Sequence, residues 1–553
     1  MKTHFDQLLK ISVMILRKLI FLRFFKKNYW FFPSCQKKKT IFAIIISIIL
    51  YIYGCSLLSV RAEEVKTIPI DNFYDTSETI VISFSKKEFL HLSKSIKEQT
   101  GLVLKPSYSN PKEDITAVLI NKNDLDKLTN FTNHYKVLKN PPFRYLVPNY
   151  NTVYKKKFKN LDDLFLSYKS YQLNEKLLKA LAREYPDLVT YRELGKTTLG
   201  FPIPSIRITR YNNKKNKVSV LFNGAHHSNE LISTEHCYDI ISELLSNPKS
   251  YSDILDNINI WVVPIVNPDG SYLFWYKHLS MGRKNGFLHE SHSQMDINRG
   301  IDLNRNYPFK WNSGHPRASS ADPSHSFYRG EKSASEPETK AMIELAETEK
   351  FLFSISFHSF ATKLLFPYTI EGVKNPSIDY PQVLARKLVK LAKSYHPIKQ
   401  YEAVKNIYPV DGTDQDFYYN EYGTIALLAE SSHKNIEYSK IKYVLEGFRP
   451  VWQAMLKECL EGYKISIKVL DPEGDPLEAN ILTDDINYYE SEKNNSDPET
   501  GIFRRMVLHP SDSKKKEYKI KIVHPAFQEE NLIISPSTKF DPIEVIMKPL
   551  SIQ

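Results

Sequence analysis

The sequence has little cysteine. It contains four in 553 residues, and two of these, Cys35 and Cys55, lie near the N-terminus. Cys237 and Cys459 are left for the body of the chain, too few for a disulfide framework. Net charge is equally scarce once it is located. The formal charge of +12, taken whole, suggests a nucleic-acid or anionic-membrane partner. Residues 1–62, however, hold eleven Lys or Arg and a single acid, Asp6, which leaves 64 basic against 62 acidic side chains in the remaining 491 residues. A nearly neutral body removes most of the case for nucleic-acid binding. A hydrophobic content of 42% and an aromatic content of 12% exclude general disorder and can fill a sizeable core. The length allows roughly two to four domains.

The basic leader has a defined pattern. Lys37, Lys38 and Lys39 precede an uncharged apolar run over residues 41–60, and Val60-Arg61-Ala62 follows. This predicts a secretory signal peptide cleaved after Ala62. The run is also long enough to span a bilayer as a helix, so an uncleaved anchor stays open. So do a lipoprotein at Cys55 and a start at Met14. Each version leaves the positive flank inside and exports the body, to be secreted, periplasmic or membrane-anchored.

Beyond the leader, TIVISF (79–84) and ITAVLI (115–120) read as strands from their β-branched content. Ser85-Lys86-Lys87-Glu88 opens a helix with a capping box. The order β-α-β-β-α-β predicts a small ferredoxin-like α+β module over residues 63–150. A proline-rich linker closes it, and Lys155-Lys156-Lys157 follows as solvated surface or a processing site. Apolar strands then alternate with amphipathic helices up to 463, an α/β pattern. From 464 to 553, KISIKVL, YKIKIV and IEVIM alternate polar and apolar residues between turns, which predicts an all-β sandwich.

Four strands of the α/β region run into reactive groups. VSVLF (218–222) leads to His226, His227 and Glu230; INIWVVPIV (258–266) to Asn267 and Asp269; FLFSISF (351–357) to His358; IALLA (425–429) to Glu430. Ligands of open α/β sheets bind beyond the carboxyl ends of strands, so such groups are expected to converge. His227 and Glu230, three apart on a turn opening a helix, can bind one metal from the same side. With His358 they form a His₂Glu set with the fourth position open, the arrangement of catalytic zinc. His226 points elsewhere and reads as a supporting or structural residue.

These residues, with their surroundings, resemble the zinc carboxypeptidase family over roughly residues 160–460. His227-x-x-Glu230 is similar to the family's first two ligands, and His358-Ser359-Phe360 to its third ligand segment. Asp302-Leu303-Asn304-Arg305-Asn306 resembles the segment whose Asn–Arg pair grips the substrate's terminal carboxylate. Gly282-Arg283 resembles the site of the arginine that polarises the scissile carbonyl. Gln415-Asp416-Phe417-Tyr418-Tyr419 resembles the segment of the mobile substrate-binding tyrosine, which places that role on Tyr419. Glu430 resembles the catalytic glutamate. Asn229, the Gln-Asp-Phe sequence and the C-terminal sandwich resemble the branch containing carboxypeptidases E, N and D, with its transthyretin-like domain. The N-terminal module is similar to the prosegment of the digestive branch.

The resemblance implies a mixed-sheet α/β/α catalytic domain over 151–463, preceded by a leader (1–62) and a prosegment-like module (63–150) and followed by a transthyretin-like sandwich (464–553). It implies one Zn²⁺ held by His227, Glu230 and His358. Glu430 is then the general base, Arg283 the oxyanion group, and Asn304, Arg305 and Tyr419 substrate-binding residues. The substrate is a peptide or protein C-terminus and the chain a monomer. A membrane is touched only through an uncleaved leader. Thr369 falls where the basic-specific branch carries an acid, which favours an apolar or broad preference, while Glu421 stays open as a source of charge for a basic one. Two other readings stay open: a peptidase acting on peptidoglycan stem peptides, and an inactive binding protein on the same fold.

Overall fold

A computed structural model describes residues 79–550, apart from 103, 105, 111–113, 122–123, 139–159, 212–216, 277–281, 287–299, 396–398, 433–434 and 437. The expected leader and the Lys155–Lys157 run lie outside the described residues. Among the described residues, no helix is long and apolar enough to cross a membrane.

The N-terminal portion is a four-stranded antiparallel sheet in the order β2-β3-β1-β4, formed by β1 (Thr79–Phe84), β2 (Pro106–Asn110), β3 (Ile115–Asn121) and β4 (Lys136–Leu138). Helices α1 (Lys86–Thr100) and α2 (Leu125–Phe131) complete it. Ser85 accepts from the Glu88 amide while Glu88 accepts from the Ser85 amide, closing the expected capping box. The strand period of two divides the sheet's residues between its faces. Ile82, Phe84, Val118 and Ile120 pack with Ile96 and Leu128 of the two helices. Val81 and Ala117 face the other way, onto Leu231, Ile232, Phe274 and Trp275 of the following domain.

The central sheet has the order β11-β10-β12-β9-β7-β8-β6-β5. Its strands are β5 (Val189–Lys196), β6 (Pro202–Ile208), β7 (Val218–Gly224), β8 (Ile258–Val263), β9 (Phe353–His358), β10 (Lys363–Leu365), β11 (Glu402–Val404) and β12 (Ile425–Glu430). The inner strands β12, β9, β7 and β8 are parallel, whereas β10 and β6 run antiparallel to their inner neighbours. The inner strands are almost wholly buried, as strands covered on both faces must be. On one face Val220, Phe222, Ile355 and Leu427 pack against α3 (Tyr171–Glu184), α4 (Leu231–Ser246) and α9 (Ile441–Glu461). On the other, Leu221, Val263 and Ala426 pack against α6 (Pro337–Glu349) and α8 (Asp414–Tyr422). Helices α5 (Pro268–Tyr276) and α7 (Tyr380–Leu388) flank the domain.

The C-terminal portion holds two three-stranded sheets, β15-β13-β18 and β14-β16-β17. They are built from β13 (Lys464–Leu470), β14 (Asn480–Leu482), β15 (Ile502–Met506), β16 (Tyr518–Val523), β17 (Glu530–Ile534) and β18 (Ile543–Ile546). Ile467, Phe503 and Val545 of the first sheet share one core with Ile481, Ile520, Ile522 and Ile534 of the second.

Candidate functional site

Strand register sets the site. Gly224 at the end of β7 is level with Phe357 of β9, and His358 at the end of β9 pairs with Glu430 at the end of β12. After Gly224 the chain leaves the sheet through Ala225, whose φ is +54°. A Cβ on Gly224 would lie 2.7 Å from the Ser233 carbonyl oxygen, so only glycine lets the strand end sit directly on α4. The turn delivers His227 and Glu230 to the mouth of the sheet just before that helix.

There His227, Glu230 and His358, all buried, bring one ligand atom each to within 4.8 Å of one another. His227 Nδ1 lies 2.9 Å from Glu230 Oε1 and His358 Nδ1 lies 3.0 Å from Glu230 Oε2, which also accepts from the Ser359 amide at 3.0 Å. Burial works against ionisation of Glu230, but the two imidazoles outweigh it and hold its carboxyl below the ordinary carboxylate range. Two imidazole nitrogens and a carboxylate oxygen are the donor set of an open zinc site. The three residues fit that ion.

The surrounding charges are ordered by Asp302, the first residue of the Asp302–Asn306 motif. Its Oδ1 lies 3.1 Å from His227 Nε2 and its Oδ2 accepts from Arg283 at 2.6 Å. Burial opposes the Asp302 charge, yet Arg283 and His227 hold its carboxyl well below the usual range. A carboxylate on the outer nitrogen of a ligating histidine fixes its tautomer and ring orientation. Glu430 is different. Burial and the nearby Glu230 charge push its carboxyl well above the ordinary value, against the pull of Arg283 and Arg305, and its Oε2 has no hydrogen-bond partner.

Arg305 is buried, with Nε on the Ala318 carbonyl at 3.0 Å and one terminal nitrogen on the Asn304 carbonyl at 2.7 Å. Asn304 Oδ1 accepts from the Asp414 amide at 3.0 Å, which ties the start of α8 to this turn. His227, Asn304, Arg305, His358 and Glu430 line one cavity, and Arg283 borders it through His227 at 3.4 Å.

Two expected participants lie elsewhere. Tyr419 is buried on α8, its ring 5.2 Å from Tyr368 in the core, and does not reach the cavity. The tyrosine that does is Tyr408, which is 41% exposed and has its hydroxyl 3.5 Å from Arg305. The signal for it was an aromatic residue in the loop Asn406-Ile407-Tyr408-Pro409 ahead of the helix. The end of β8 also contributes no ligand. Asn267 bonds the His226 carbonyl and the Gly270 amide, and Asp269 accepts from Thr197 and the Leu199 amide. His226 turns away from the ligand set to Tyr307, 2.9 Å from its hydroxyl, and burial pushes its pKa down to about 4.

Residues 174–463 match the sequence model of the family described as zinc carboxypeptidase. Over 266 residues the chain is 30% identical to metallocarboxypeptidase A of Trichophyton rubrum, a match covering 46% of this chain and 60% of that protein. It is 28% identical over 264 residues to human mast cell carboxypeptidase A, covering 46% and 61% of the two chains. The chain thus spans about 60% of the length of these curated relatives. Among solved structures, a carboxypeptidase A from Helicoverpa armigera is similar at 21% identity and a TM-score of 0.47, covering 68% of this chain and 96% of that one. The match to the family model extends over more than half of the sequence, and the chain belongs to the zinc carboxypeptidase family.

Proposed function

We propose that this chain is a zinc-dependent carboxypeptidase that hydrolyses the last peptide bond of peptides or proteins outside the cytoplasm. The observation that carries this reading is the convergence of His227, Glu230 and His358 within 4.8 Å in a cavity that also holds Glu430 and Arg305. Bound zinc supplies Lewis acidity toward the scissile carbonyl and lowers the pKa of a water. Glu430, with a free carboxyl oxygen in the cavity, takes the proton of the attacking water and returns it to the leaving amine. Arg283, held by Asp302, faces the charge that develops on the carbonyl oxygen. Arg305 and Asn304 receive the substrate's α-carboxylate, a task for which a planar guanidinium is suited. Tyr408, beside Arg305, takes the substrate-binding role expected of Tyr419.

The same reading assigns residues 1–62 to export, 63–150 to a ferredoxin-like prosegment module, 151–463 to catalysis and 464–553 to a transthyretin-like domain. The sheet order β2-β3-β1-β4 and the two-sheet C-terminal core support the two flanking assignments. Packing of Val81 and Ala117 on Leu231 and Ile232, directly after Glu230, supports a module that bears on the site. The protein acts as a monomer, needs no nucleic acid, and meets a membrane only if its leader is retained.

Metal analysis and peptide hydrolysis test the proposal together. About one zinc per chain is expected, with chelator-sensitive release of single residues and no action on a C-terminal amide. A chain without zinc that releases nothing would refute it. For the prosegment assignment, a chain starting at Asn160 should be more active than one starting at Glu63; equal activities would remove that role.

A further inference from the structure

Beyond the ligand set the cavity is walled by Leu365, Ile407, Val410 and Leu428, and Gln415 lies on its lining. Among the described residues the only carboxylate on that lining is Glu430, next to the ligands. Gln415 is 2% exposed, and its Oε1 has no hydrogen-bond partner. A buried amide oxygen left unpaired is costly, and a donor on a side chain bound in the cavity would relieve that cost.

The orientation of that amide follows from its neighbours. The buried Asp416 carboxylate accepts from the Thr369 amide at 2.9 and 3.1 Å and from the Thr369 hydroxyl at 2.7 Å. Thr369 has one hydroxyl proton, and Asp416 takes it. Toward Gln415 the Thr369 oxygen therefore acts only as an acceptor, and Gln415 Nε2 donates to it at 3.1 Å. The glutamine cannot turn over without setting its own oxygen against the Thr369 oxygen. Asn406, also on the lining, likewise spends its amide nitrogen on the Thr369 carbonyl at 3.2 Å.

We propose that this pocket selects C-terminal residues whose side chain is uncharged, has an apolar stem and ends in a hydrogen-bond donor, with glutamine and tyrosine as the types, because Gln415 presents a fixed acceptor oxygen to it. This deepens the carboxypeptidase reading and rests on it. A purely apolar residue leaves the Gln415 oxygen buried and unpaired. An acidic residue sets oxygen against oxygen. A cationic residue finds no facing carboxylate beyond Glu430 to offset its desolvation. The expectation differs from the apolar or broad preference read from Thr369 alone. Thr369 acts here as a positioning residue for Gln415.

The zinc-loaded full chain is given peptides that differ only in the last residue: Gln, Glu, Met and Lys in one set, Tyr and Phe in another. For Gln over Glu, Met and Lys, and for Tyr over Phe, kcat/KM should be about tenfold higher or more. Thr369→Val frees the amide to rotate and should bring the Gln-to-Glu ratio toward one or below it; Thr369→Ser should restore the ratio. Gln415→Glu should move the preference to Lys. If the wild-type chain hydrolyses both sets with equal kcat/KM within each pair, the acceptor proposal fails while the carboxypeptidase reading stands. If no peptide in either set is hydrolysed, both fail.

Discussion

Glu430 pairs in register with His358 across the parallel strands β12 and β9, so the two side chains stand level at the mouth of the sheet. Backbone hydrogen bonding thereby sets the distance between a metal-ligand candidate and the expected general base. Neither residue sits on a loop free to drift, and the sheet beneath them is buried on both faces. The consequences of this frame can be measured.

Asp302 joins His227 to Arg283. Asp302→Asn keeps the shape but removes the charge and can present a donor to His227 Nε2. Zinc affinity, measured by competition with a chelator, should fall about 10–100-fold. The Arg283 side chain also loses its anchor, so kcat/KM in saturating zinc should fall as well. Unchanged affinity would mean that Asp302 does not orient the ligand.

The two tyrosines separate cleanly. Tyr408→Phe removes a hydroxyl at the cavity and should lower kcat/KM by about tenfold, the scale of one hydrogen bond to a charged group. Tyr419→Phe alters a core residue and should leave kcat and KM within about twofold while changing the urea midpoint. The reverse pattern would return the substrate-binding role to Tyr419.

The C-terminal domain is tied to the segment beneath the pocket. The Tyr368 hydroxyl donates to Glu492 Oε1 at 3.0 Å and accepts from Asn420 at 3.1 Å, all three being buried, and Tyr368 immediately precedes Thr369. A double-mutant cycle with Tyr368→Phe and Glu492→Gln should give a coupling of about 1.5–3 kcal/mol in unfolding free energy. A coupling near zero would show that the domains fold without this contact.

His236, on α4, is wholly buried, and that burial pushes its pKa from 6.5 down to about 3. The folded-state value lies below the unfolded one, so the fold favours the neutral ring. Its contribution is intact above about pH 6.5 and is lost as pH falls from 6.5 toward 3, at about 1.4 kcal/mol per pH unit. Urea unfolding of the metal-free protein between pH 7 and pH 5 measures this, with His236→Gln as the reference. The stability difference between wild type and variant should shrink as pH drops; a constant difference would contradict the account.

Much of this was legible in the chain because it is local. The capping box of α1, the β-branched strands and the His227–Glu230 spacing each lie within a few residues. His358 and Glu430 could be found because each ends an apolar strand, and the topology of a parallel sheet brings such ends together. Asp302 was different: its partners His227 and Arg283 are 75 and 19 positions away, and only folding reveals the bridge. The position of Tyr419 was hidden for a related reason. Helix α8 turns that residue into the core against Tyr368, while the loop before the helix carries Tyr408 back to Arg305. The orientation of Gln415 depends on a proton count around Thr369, which no spacing encodes.

The most direct test of the central claim is Glu430→Gln, measured for zinc content and peptide hydrolysis together. Glu430 is placed beside the ligands and is not one of them, so zinc should stay at about one per chain while kcat falls by about 10²–10⁴-fold. Full activity in this variant, or loss of the metal along with the activity, would contradict the assignment of Glu430 as the base.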